Sequence, residues 1–263
     1  MFVPHSEIDL KKMFEELSIS SLDDLFTHIP ETLKLNDGLN VPATLSELES
    51  IAHFESVESK NTQNLICYTS ENSHYSIAKN ASFTGVGRDN VRYIKSDEKG
   101  RISVKEFKLQ VEKDITNGFV PFYINATAGT TVLCAFDNVK ELAPICKKHN
   151  IWLHLDGAFG GSVIFSDKYK HLVKGINESD SFCFNAHKTL GAPLSASVLV
   201  LKDKHDLYNS FNNDATYLYQ THDEDFNLGQ TSFECGRRNN ALKLWTMWKA
   251  IGTDGISEIV EHE

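Results

Sequence analysis

Residues 151–162 read IWLHLDGAFGGS, an apolar run that closes on one carboxylate, Asp156, and then breaks into the small residues Gly157, Ala158, Gly160 and Gly161. A short apolar run bounded by turn residues reads as a buried strand. Outward from it the same texture repeats. Upstream lie the apolar runs NLICYT, VRYI and PFYINAT, separated by helical patterns near Ser76 to Phe83 and Val104 to Thr116, with a further helix from Asn138 to His149. Downstream come SFCFNA and SASVLVL, and later ALKLWTMWKAIG, whose periodicity is that of an amphipathic helix. Strands alternating with helices predict an α/β fold, a mostly parallel sheet with helices on both faces.

The first sixty residues differ. SEIDLKKMFEELS, residues 6–18, spaces Ile8, Leu10, Met13, Phe14 and Leu17 as an amphipathic helix capped by Ser6. SSLDDLFTHIP predicts a second helix with Ser20 or Ser21 as N-cap and a stop at Pro30, and LSELESIAHFESVESK predicts a third from Leu45. The division is a helical segment over 1–62 and an α/β domain over 63–263, joined near Lys60 to Gln63.

Composition narrows the function. With 36 acidic against 26 basic residues the net charge is −10, which argues against a nucleic-acid or anionic-membrane surface. The start, MFVPHSEIDLKK, does not read as a signal peptide, and nothing approaches the ~18 apolar residues of a membrane span. The expectation is a cytoplasmic protein whose partners are small molecules and other protein chains. The five cysteines are scattered without CxxC spacing, so they are expected reduced, with Cys67 and Cys183 as small core residues and Cys235, beside a basic pair, as the thiol to watch. The eleven histidines form no HExxH-like pair, and no metal site is expected.

In an open parallel sheet ligands collect at the carboxyl ends of strands. Four polar clusters follow apolar runs here: Ser70 to His74, Thr127 to Thr131, Asp156, and Asn185 to Lys188. Lys188, just past a strand, is expected to be partly desolvated, which favours the nucleophilic amine that forms a Schiff base. Asp156 could pair with a protonated pyridine nitrogen, and the small residues after it would let a flat ring approach the backbone. Taken singly, each has a plainer reading as a turn aspartate or a solvated lysine.

Together they match a family. ATAGTT, HLDGAFGGS, NAHKTLGAPLSAS and FECGRRNNALKLWTMWKAIGT, in this order and spacing, resemble the group II decarboxylases that depend on pyridoxal 5′-phosphate, and within them the decarboxylases of glutamate, aspartate and cysteine sulfinate. The resemblance covers about residues 63–263. It implies the large domain of the aminotransferase-like fold, fold type I, and pyridoxal phosphate as cofactor. It also implies an L-amino acid substrate and a homodimer.

By the same resemblance Lys188 is the Schiff-base lysine, Asp156 partners the ring nitrogen beside Ala158, and His74, in SENSHYS, stacks on the ring. Thr130, Asn185 and His187 match positions near the cofactor, although Thr130 and Asn185 read equally well as backbone caps at strand ends. ATYLYQ resembles the loop carrying the family's catalytic tyrosine, which makes Tyr217 the proton donor to the former α-carbon, with Tyr219 the alternative. Arg237 and Arg238 could bind a phosphate or carboxylate, or be surface charges.

Two departures accompany the match. Family members are longer and carry a Gly-Ser-rich phosphate-holding segment before the SENSHYS region, whereas residues 53–63, HFESVESKNTQ, contain no glycine. Residues 1–62, through VPHSEIDLKKMFEELSISSLDDLF, IPETLKL and LSELE, resemble instead subunit 1 of the decarboxylating glycine dehydrogenase, the P-protein of glycine cleavage. The rival expectations are thus a P-protein-like subunit, or an incomplete and inactive remnant that only binds or dimerises.

Overall fold

A computed structural model describes residues 6–34, 64–211, 228–234, 236 and 238–262. The chain divides into two units, Met1–Ile51 and Ala52–Glu263.

In the first, helix α1 spans Glu7–Leu17. Ser6 and Asp9 cap it reciprocally: Asp9 N–H donates to Ser6 Oγ at 3.3 Å and Ser6 N–H to Asp9 Oδ2 at 3.1 Å. It ends at Ser18 in the left-handed region, φ 54°. The expected second helix forms only as a 3-10 turn over Leu22–Phe26, with Asp24 Oδ2 accepting from the amides of Ser20 and Ser21 at 2.6 and 2.9 Å. So short a stretch gains little from α-helical propagation, and the tighter turn suffices. The helix expected from Leu45 lies outside the described residues.

The second unit is built on a six-stranded sheet: β1 Leu65–Ser70, β2 Val91–Ile94, β3 Val120–Thr127, β4 Trp152–Gly157, β5 Ser181–Asn185 and β6 Ser197–Leu201. Their order is β2-β1-β3-β4-β5-β6. The first five run parallel, while β6 is antiparallel to β5, with Phe182 opposite Val200. The short connection 186–196 holds no crossover helix, and without one the chain can only return antiparallel. Helices α2 Ser76–Phe83, α3 Val104–Thr116 and α4 Val139–His149 make the parallel crossovers, and α5 His205–Phe211 and α6 Ala241–His262 follow. Helix α6 is interrupted at Gly252, whose φ of 71° a side chain would resist. Between β4 and β5 three 3-10 turns, Gly160–Phe165, Lys170–Val173 and Ile176–Glu178, take the place of a helix.

Strand alternation decides what each face does. Ile66, Tyr68, Ile124, Leu153 and Leu155 point into the main core with Phe107 and Val111 of α3, Leu142 of α4, and Ile256 and Val260 of α6. Cys67 and Val91 point the other way and pack with Ala81 of α2. Helices therefore cover both faces. Beyond α2, the second face of β3, β4 and β5 carries polar side chains rather than a second core: Tyr123, Asn125 and Thr127, then His154 and Asp156, then Cys183 and Asn185.

Candidate active site

Those side chains floor a cavity of about 310 Å³ at the carboxyl ends of β3, β4 and β5. It lies where the strand order reverses: the chain leaves β1 toward β2 on one side, then returns to β3 on the other. His74, from the loop after β1, and Thr130, from the loop after β3, both line it, and Ser73 Oγ lies 3.1 Å from Thr127 Oγ1 between the two loops. A larger and more open hollow of about 930 Å³ lies at the amino ends of β3 and β4, beside Trp152, Asn150 and Asp180. The amine and carboxylate singled out by sequence are at the smaller one.

Asp156 Oδ1 accepts the Ala158 N–H at 2.9 Å and the Cys183 thiol at 3.7 Å. Ala158, Asn185 and Lys188 line the same cavity. Lys188 sits in a turn whose amide donates to Asn185 O at 3.0 Å, and its side chain is exposed. This corrects the expectation of partial desolvation: the turn carries the lysine beyond the buried strand to the open side of the cavity. His74 is also exposed, with Nδ1 2.7 Å from Ser76 Oγ and its ring 4.3 Å from that of Tyr75. Thr130 is buried, and its Oγ1 accepts the Ala135 N–H at 3.0 Å while the residue still faces the cavity.

His187 stands apart from this lining. Its Nδ1 lies 3.0 Å from both the N and O of Ala196, which clasps the loop between β5 and β6. Arg238 is exposed and does not line the cavity either. Tyr217, Tyr219, Arg237 and Cys235 lie outside the described residues.

Of the strand residues that line the cavity, four were not singled out from the sequence: Tyr123, Asn125, His154 and Cys183. Cys183 is half-buried on the cavity face, which corrects its expected place in the core. Burial, then the neighbouring Asp156 carboxylate, push its thiol up to about 12. Burial pulls the His154 imidazole down, against the opposing pull of Asp156, and raises the Tyr123 phenol. The signal for all four was period 2, since each sits two or four positions before a residue already singled out.

The residues fit pyridoxal phosphate. Asn125 is 1% exposed and its Nδ2 has no partner among the described residues, a buried donor facing a cavity whose other walls offer an amine and a carboxylate. The volume is at the low end of small-molecule sites, roughly 300–1,000 Å³. Gly129, which lines the cavity, and Gly160 bring two loops so close that a Cβ on Gly129 would lie 2.7 Å from Gly160 Cα.

The pyridoxal-dependent decarboxylase conserved domain matches residues 47–263. The chain belongs to the pyridoxal-dependent decarboxylase family. The cofactor of this family is pyridoxal phosphate, and the fold is fold type I. An acidic amino acid decarboxylase of Xenopus tropicalis is 35% identical over all of this chain and 51% of its own length. Human cysteine sulfinic acid decarboxylase is 42% identical over 75% of this chain and 41% of its own. The crystal structure of mouse CSAD superposes with a TM-score of 0.70 at 38% identity, covering 80% of this chain and 45% of that one. The chain thus spans about half the length of these relatives. The glycine cleavage system P-protein matches residues 1–75, the second resemblance read from the sequence. Among the described residues no helix is long and apolar enough to cross a membrane, and no group of three or more His, Cys, Asp or Glu is arranged to hold a metal ion.

Proposed function

We propose that the chain carries the cofactor-holding core of a decarboxylase acting on an acidic L-amino acid, namely aspartate, glutamate or cysteine sulfinate, with release of carbon dioxide and an amine. One observation carries this reading. The Lys188 amine and the Asp156 carboxylate, from the ends of neighbouring strands, open onto one cavity together with His74, Thr130 and Asn185. The acidic substrate is supported by the relatives at 35 to 42% identity, whose names specify acidic amino acids and cysteine sulfinic acid.

Bound pyridoxal phosphate supplies an electron sink for the bond pair left when the α-carboxylate departs. The chain's part is to bind, orient and hold protons. Lys188 Nζ is the amine that would hold the cofactor's aldehyde carbon. Asp156 would hold the proton of the ring nitrogen by its negative charge, Ala158 would leave room for the ring beside the strand end, and His74 would cover a ring face. Thr130 and Asn185 would flank the ring, with His187 fixing the loop that follows Lys188. Tyr217 is assigned the delivery of a proton to the α-carbon and the exclusion of water from it.

Residues 1–62 form a separate helical segment in this reading and residues 63–263 the cofactor domain. The protein works in the cytoplasm as a homodimer. Support for the dimer is the open side of the cavity at Lys188 and His74, both exposed in a single chain. Light scattering of the purified protein tests it, and cell fractionation tests the compartment.

The deciding experiment is borohydride reduction after incubation with pyridoxal phosphate, followed by peptide mass mapping. A pyridoxyl label on Lys188 that disappears in Lys188→Ala, with carbon dioxide released from labelled aspartate, glutamate or cysteine sulfinate, is the expected result. Folded protein that takes no label, or labelled protein that releases none from any of the three, overturns it.

A further inference from the structure

Strands β4 and β5 set His154 opposite Ser181 and Asp156 opposite Cys183. Trp152 Nε1–H donates to Ser181 Oγ at 2.8 Å, and Ser181 Oγ lies 2.7 Å from His154 Nδ1. His154 Nε2 lies 3.6 Å from Cys183 Sγ, and Cys183 donates to Asp156 Oδ1 at 3.7 Å. Four side chains thus connect the amino end of β4 to the carboxylate at the cavity.

The chain of contacts has a direction. An indole N–H can only donate, so Ser181 Oγ must accept from Trp152. The Ser181 hydroxyl is buried, and among the described residues the acceptor within reach of its own proton is His154 Nδ1. Leaving that proton unpaired would cost about 1–3 kcal/mol. An imidazole that accepts at Nδ1 carries its proton on Nε2, and burial holds His154 neutral. Nε2–H then faces the Cys183 sulfur. The thiol has one proton and two neighbouring acceptors, His154 Nε2 and Asp156 Oδ1. With Nε2 already protonated, the thiol proton goes to Asp156. The opposite tautomer would strand the Ser181 hydroxyl and draw the thiol proton away from the carboxylate.

We propose that Trp152, Ser181, His154 and Cys183 form a one-way donor chain that positions Asp156 by placing the thiol proton on Oδ1 beside the Ala158 amide, leaving Oδ2 as the oxygen that meets a protonated ring nitrogen. The last clause rests on the cofactor reading above. The donor chain itself does not, because every link in it is within the protein.

Nitrogen-15 NMR of histidine-labelled, cofactor-free protein reads the tautomer directly, with the His154 signal assigned by its loss in His154→Gln. The Nε2–H form is expected in the natural sequence, and Trp152→Phe is expected to introduce the Nδ1–H form. Pyridoxal phosphate titration reads the other end: Cys183→Ala is expected to weaken binding about 3- to 10-fold, while Cys183→Ser, whose hydroxyl still donates, stays within about 2-fold of the natural protein. A predominant Nδ1–H form at His154, or a Cys183→Ala protein that folds and binds the cofactor unchanged, overturns the proposal. Failure of the natural protein to bind pyridoxal phosphate would instead defeat the functional reading alone, since the tautomer measured without cofactor still decides the donor chain.

Discussion

The Asp137 carboxylate accepts the Thr127 N–H on Oδ2 at 2.7 Å and the Ile102 N–H on Oδ1 at 2.6 Å, so one buried side chain ties the carboxyl end of β3 to the loop that enters α3. Burial pushes its carboxyl from 3.8 up to about 6, against those two amides, which pull it down. A carboxyl raised by folding stabilises the folded state while it is protonated. That contribution is fully present below 3.8 and is lost as the pH rises through about 6. The loss is expected to reach about 2–3 kcal/mol. Asp137→Asn abolishes this pH dependence, and because an amide group offers one acceptor where two are needed, it lowers stability by about 1–3 kcal/mol at acid pH. Urea midpoints of both proteins across the mildly acidic range check both effects.

Gly129, at φ 82°, faces Gly160 so closely that a Cβ on it would lie 2.7 Å from Gly160 Cα and 2.9 Å from Gly160 N. Backbone atoms cannot rotate aside as a side-chain tip can. Gly129→Ala is expected to cost about 1–3 kcal/mol, a fall of several degrees in melting temperature, and to weaken cofactor binding because the two loops carry Thr130 and Ala158. Gly118→Ala, at φ 81° with nothing within 4 Å, carries only the conformational strain and is expected to cost about 1 kcal/mol and leave the cofactor unaffected. Thermal melts with and without pyridoxal phosphate separate the two.

Asp156→Asn keeps the shape of the side chain and its acceptor for Ala158 N–H but removes the charge. Under the proposed function, carbon dioxide release is expected to fall about 10²- to 10³-fold with the circular dichroism spectrum unchanged. Full activity in this variant would remove Asp156 from its assigned role.

Tyr68 OH and Gln110 Nε2 both donate to Asp114 Oδ2 at 3.0 Å, and Arg92 Nε lies 3.4 Å from Oδ1, a buried cluster on the core face of the sheet. Tyr68→Phe removes one of these donors. It is expected to cost about 0.5–1.5 kcal/mol in urea unfolding, with cofactor affinity unchanged. A change in that affinity would mean that the two faces of β1 are coupled.

The sheet and its helices were legible because their apolar periods are unmixed: α2 and α3 begin and end at the residues where the pattern starts and stops. The direction of β6 was not, since periodicity says which face a residue takes but not which way its strand runs. Nor were the 3-10 turns over 160–178, where glycines and polar residues interrupt any helical period. At the site, the residues just past strand ends were legible from topology alone. His154 and Cys183 were missed because their neighbours are apolar. Leu153 and Leu155 flank one, Phe182 and Phe184 the other, and all four point to the core while the residue between them points to the cavity.

That alternation also sets thiol chemistry. Alkylation requires the thiolate. Cys134 is exposed, whereas burial pushes Cys67 up to about 11 and both Cys146 and Cys183 to about 12. Timed iodoacetamide labelling at neutral pH, read by peptide mass, is expected, among the four described cysteines, to modify Cys134 first and the other three at least about 100-fold more slowly. Cys183 is the informative one, because it lines a cavity and so is not shielded by packing on every side. Its slowness would come first from its partial burial and then from holding its proton beside the Asp156 carboxylate, and Asp156→Asn is expected to speed its labelling by removing the second of these. A Cys183 that reacts as fast as Cys134 in the natural protein would mean that its thiol proton is not held there.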